Sequence, residues 1–191
     1  MIQLHGIILG FWKEDRKELN GGKMAIMDTT AMQIKLAFMG AIKNLCLLEN
    51  KLVEMKNIPM YQYTNYLSQL ALCVELGLKS IISNSDEFEH IHDLGALFFK
   101  TPNDFQHKVK SEYSEEIFIT NISNMKKIVV DFRYLELYST LNEYFDENMI
   151  NSNNTINIEE ASNQENFQFL RLLLDKIIKY ENINGRELIM I

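Results

Sequence analysis

Two prolines, eight glycines, two cysteines and one tryptophan are few for a chain of 191 residues. A β-sandwich or barrel of this length needs a turn every few residues, and turns are built from Gly and Pro. So little of either argues against both folds and for long helices with few connections. Two cysteines supply no zinc framework of the usual spacing. Cys46 and Cys73 each sit inside an apolar stretch, as buried small hydrophobes in a reducing compartment do.

Positive charge is also scarce. Nineteen Lys and Arg face 26 Asp and Glu, for a formal net charge of −7. A protein that wraps duplex DNA needs a broad basic face to neutralise phosphates, and none is available here. A small local basic site is still compatible with this balance. Net acidity also disfavours an anionic membrane surface. The short apolar run Ile7-Ile8-Leu9 has no basic region before it, and Trp12-Lys13-Glu14-Asp15-Arg16 follow at once. That is a poor signal peptide and too short for a bilayer. No other segment reads as membrane-length without charges, so the expected location is the cytoplasm.

What the chain does have is apolar residues, at 47%. A single domain of this size buries roughly 70% of the surface its unfolded chain exposes. The organisation expected is an N-terminal arm over 1–29, a helical domain over 30–185 with a mobile loop at 146–160, and a short tail over 186–191. Asn20-Gly21-Gly22-Lys23 just before Met24 fits a purine-rich ribosome-binding run. An arm and a start at Met24 are equally weighted readings.

Periodicity places the helices. Ile34, Phe38, Ile42, Leu45, Leu48, Leu52 and Met55 recur at three- and four-residue steps, predicting a helix over 31–56. Thr30 and Gln33 have capping-box spacing at its start, and Asn57 and Pro59 end it. Tyr63, Leu67, Leu70, Ala71, Val74, Leu78 and Ile81 continue the period over 60–83. Short helices follow at 93–100 and 105–113. Ser114 opens a long helix reaching as far as Phe145, with Glu115 and Glu116 favourably placed in its first turn. Its β-branched run Ile128-Val129-Val130 imitates a strand but keeps helical flanks. The Asn-rich stretch 146–157 reads as loop. Ser162 and Glu165 form a second capping-box pattern, and the last helix spans 163–180, closed by Asn184-Gly185. The fold class is all-α, an up-and-down, mostly antiparallel bundle of about five helices.

Three polar patches interrupt the apolar pattern. Glu75 and Lys79 stand four apart on one helix, the spacing of an intrahelical ion pair. Their apolar flanks suggest partial burial, which demands partners. His90-Ile91-His92-Asp93 has two histidines but no further ligand at a recognisable spacing, so it makes a weak metal site. The favoured reading has Asp93 capping the next helix and one His bonding a neighbouring helix. Arg133-Tyr134, in an apolar helix, offers a planar fork for a carboxylate or a phosphate. An ion pair with a carboxylate such as Glu75 is favoured over anion recognition.

Taken in order, Glu75-x-x-x-Lys79, then His92-Asp93-Leu94-x-x-Leu97, then Arg133-Tyr134 resembles the HEPN family, nucleotide-binding domains of higher eukaryotes and prokaryotes. The resemblance covers about Ala31 to Tyr138. It implies an all-α bundle, often dimeric. It also implies a role in bacterial stress or phage defence of the toxin–antitoxin or abortive-infection type. Glu75, Lys79, His92, Asp93, Arg133 and Tyr134 would form its polar cluster. Ribonucleases of the family carry Arg, four to six residues, then His. Here the positions after Arg133 hold Tyr138, Ser139 and Thr140, and those after Arg171 hold Lys176, Ile177 and Ile178. Arg16 and Arg186 have no such His either. The ribonuclease activity is therefore not carried over, and no catalytic residue, metal or cofactor is assigned. The expected protein is non-catalytic, works as a homodimer or with a partner protein, and has RNA or a nucleotide as a further partner. The alternatives are a diverged ribonuclease built around Arg133 with Tyr138 or His92, and a helical interaction module with no ligand.

Overall fold

A computed structural model describes residues 29–52, 54–82, 91–125, 154–157 and 163–183. Six helices lie among them: α1 (Thr29–Leu52), α2 (Met60–Ile82), α3 (Leu94–Lys100), α4 (Asn103–Lys110), α5 (Glu115–Asn124) and α6 (Glu165–Tyr180). Two short strands, β1 (Asn57–Pro59) and β2 (Thr155–Asn157), complete them. The protein is all-α, and this ribbon is the only sheet among the described residues.

α2 is the axis of the fold. It is apolar on nearly every side, which is the pattern of a helix surrounded by others. Tyr63, Leu67, Leu70, Val74 and Leu78 are all buried. α1 runs antiparallel to it, since Glu49 meets Tyr66 at one end and Phe38 lies against Gly77 at the other. α6 runs in the same direction as α2, with Phe167 against Tyr66 and Ile177 against Gly77. Gly77 is a place where the three helices approach closely. A Cβ there would lie 2.6 Å from Ile177 Cγ2 and 2.8 Å from Phe38 Cζ, so a larger residue would force the helices apart.

The short helices close one side. Phe98, Phe105, Phe118 and Phe169 form a chain of tilted and edge-on rings linking α3, α4, α5 and α6, a geometry aromatic quadrupoles favour. Asp93 caps α3 by accepting from the Ala96 amide at 2.9 Å, and Ser114 caps α5 through Ile117. Both caps satisfy amides that have no partner within the helix.

Several expectations need correction. Thr30 lies inside α1, which starts at Thr29, so it is not the N-cap. α1 ends at Leu52, four residues before 56, because Asn57–Pro59 are extended and pair with β2. Within the stretch read as loop, Thr155–Asn157 is a strand. Ile156 faces Ile58, and both are fully buried. One isoleucine among asparagines has no period to betray it. Burial of that side chain, not strand propensity, holds the ribbon in register. Gln164, not Ser162, is the N-cap of α6, and it makes no side-chain capping bond. α6 ends before Asn184: Asn182 adopts φ 52°, and Ile183 donates to the Ile178 carbonyl while Asn182 donates to Lys179. That is the Schellman arrangement with Asn in the left-handed position. The predicted long helix is described over Glu115–Asn124, and 126–145 lie outside the described residues, as do 146–153 and 158–160.

Among the described residues, one helix segment, Ala31–Leu52, is long and apolar enough to cross a membrane, and 28% of its most apolar window is buried. Its inner face is committed to the core through Phe38, Ile42 and Leu45, and Lys35 pairs with Glu181 across the helix boundary at 3.4 Å.

Candidate functional site

Three of the singled-out residues converge. Glu75 and Lys79 point into the fold from α2, with 2% and 6% of their surface exposed. Lys79 Nζ donates to Glu75 Oε1 at 2.7 Å. His92 Nδ1, just before α3, lies 3.1 Å from the same oxygen, where it donates when that nitrogen carries the proton. The other carboxylate oxygen, Glu75 Oε2, is buried and has no hydrogen-bond partner among the described residues. Helical geometry alone makes the Glu75–Lys79 contact, because residues four apart share a face. His92 arrives from seventeen residues away, carried by the cap that sets the start of α3.

Asp93 is adjacent in sequence, but its carboxylate faces the Ala96 amide and not the Glu75 group. Arg133 and Tyr134 lie outside the described residues, as do His90 and Tyr138. Among the described residues, no group of three His, Cys, Asp or Glu is placed to hold a metal ion.

A second polar network was not anticipated. Arg171 of α6 donates to Glu49 of α1. The Tyr66 hydroxyl donates to the same Glu49 oxygen at 2.8 Å, and Arg171 Nη1 also reaches the Tyr66 oxygen at 3.3 Å. One knot therefore joins α1, α2 and α6. The Arg171 guanidinium is pushed down by burial, but the negative ends of Tyr66 and Glu49 more than reverse this and leave it raised. It stays charged. Burial, with Glu49 adding to it, pushes the Cys46 thiol up to about 11, and burial also raises Cys73. Both thiols are thus held as inert thiols rather than thiolates. Burial raises the Tyr66 hydroxyl well above its ordinary value. The available signal was a lone Arg in the run Phe169-Leu170-Arg171-Leu172-Leu173. A cation on an apolar stripe implies an acid on a facing helix, but which acid is a tertiary matter.

The charged members of both networks are largely buried, and each cation is balanced by an acid, Lys79 by Glu75 and Arg171 by Glu49. No family model, curated protein or solved structure matches this chain.

Proposed function

We propose that this chain is a non-catalytic helical protein that acts by pairing with a second copy of itself. The cytoplasm and the bacterial stress or defence setting implied by the HEPN resemblance belong to the same reading. The observation that carries it is the outward face of α1. Met32, Leu36 and Leu47 are 51%, 44% and 54% exposed. With Gly40, they fall at steps of four, four and seven residues, on one stripe of the helix. Among the described residues, a Cβ built on Gly40 meets nothing within 4 Å, which leaves room for the close approach of another helix. Apolar residues lie on both sides of that glycine, which suits a two-fold contact in which the same patch faces itself. The non-catalytic part of the reading is supported by the engagement of Lys79 and His92 with buried Glu75.

Light scattering coupled to size-exclusion chromatography tests the pairing. The expected result is a dimer for the natural chain and a monomer for Leu36→Lys combined with Leu47→Lys, with unchanged circular dichroism. A natural chain that stays monomeric at its highest attainable concentration overturns the proposal.

A further inference from the structure

Resting on the pairing proposed above, we infer that the two α1 helices meet antiparallel, Leu36 of one copy against Leu47 of the other, and that the lysines of this face make pairing depend on ionic strength. The outward face of α1 is cationic in an acidic chain. Lys43 and Lys51 are exposed, and among the described residues neither pairs with a carboxylate. The one acid of α1, Glu49, is engaged by Arg171. A second copy therefore brings lysines to this face and no acid to meet them, although the chain carries a net charge of −7.

The spacing of the side chains favours one register. Leu36 and Leu47 are eleven residues apart. When two antiparallel copies cross midway between them, Leu36 lies level with Leu47 of the second copy on both sides of the crossing. Gly40 then lies level with Lys43 of the second copy. A long side chain faces a missing one, so the lysine stem has room along the bare backbone. The helix dipoles also oppose each other. A parallel pair would set glycine against glycine and each lysine against its own counterpart, and would align the dipoles. In the antiparallel register the Lys51 side chains stand at opposite ends. The Lys43 pair stays close, about 4.5 Å apart along the axis, and its repulsion is what salt screens. Gln33 and Lys51 are eighteen residues apart, about five full turns, so they share one flank of α1. The two-fold brings like flanks together, and Gln33 comes within about 1.5 Å along the axis of the level of Lys51 of the second copy.

Analytical ultracentrifugation of the full chain, across concentration and salt, tests this. Gln33→Glu gives Lys51 of the second copy a carboxylate. No lysine stands three or four residues away on its own helix, so the gain is between copies. Dimer affinity is expected to rise about fivefold, the worth of two exposed ion pairs, even though each copy becomes more acidic. A parallel pair would instead be loosened, because the two new carboxylates would meet. Lys43→Gln should tighten pairing about threefold at low salt, a gap that closes at about 1 M salt, where the screening length is about 3 Å. A dimer that Gln33→Glu loosens or leaves unchanged overturns the register, and equal salt responses of Lys43→Gln and the natural chain overturn the role of the lysines. In both cases the pairing itself stands. A natural chain that is monomeric at every salt concentration overturns the pairing, and this inference with it.

Discussion

The two buried polar networks were built in opposite ways. Glu75 and Lys79 share one helix and would meet in any fold that keeps α2 helical, with His92 added from the chain before α3. Glu49, Tyr66 and Arg171 come from three helices and span 122 residues. The local pair leaves an oxygen, Glu75 Oε2, unpartnered among the described residues. In both networks two groups converge on one carboxylate oxygen, Lys79 and His92 on Glu75 Oε1 and Tyr66 and Arg171 on Glu49 Oε1. A contact that helix geometry supplies can tolerate an imperfection. A contact that unites three helices fixes how they pack, so its loss should reach further.

The strongest break is Arg171→Met. It leaves Glu49 inside without its cation and should cost about 3–5 kcal/mol of stability, read as a lower midpoint in urea unfolding. An unfolding curve unchanged from the natural chain would show that Glu49 finds water instead. Glu75→Gln is the milder counterpart. The amide keeps an acceptor for Lys79 and His92 but gives up the charge-assisted part of those bonds, for an expected loss of about 1–2 kcal/mol. If it proved costlier than Arg171→Met, the contrast between the networks would be reversed.

A further effect concerns pH and reaches the three-helix knot through Cys46, which lies beside Glu49 and Arg171. The Cys46 thiol rises from 9.0 in the unfolded chain to about 11 in the fold, so the folded state holds its proton longer. The stability this represents is complete below pH 9 and is lost as pH rises toward 11. Chemical unfolding across that range should show a steeper alkaline decline for the natural chain than for Cys46→Ala. Equal slopes would show that Cys46 does not feel its surroundings.

The helices were legible because burial stamps a period on the chain. α2 was placed to within a residue by Tyr63, Leu67, Leu70, Val74 and Leu78, and Asp93 was identified as a cap from its place before Leu94. The same period blurs where the apolar signal fades. α1 ended four residues early, and Asn182 rather than Asn184 closed α6, since any of several asparagines can adopt the left-handed turn. The ribbon at Thr155–Asn157 was illegible because three residues with one buried isoleucine carry no alternation to read.

The sequence by itself determined the helical class and the Glu75–Lys79 pair, because both follow from a repeat of 3.6 residues that operates within a single element. Only the tertiary structure decided that Arg171 meets Glu49 and Tyr66, that Ile156 seals a strand against Ile58, and which face of α1 stays outside. Those contacts join residues far apart in the chain. Their choice depends on the packing of every helix between them, which no local pattern encodes.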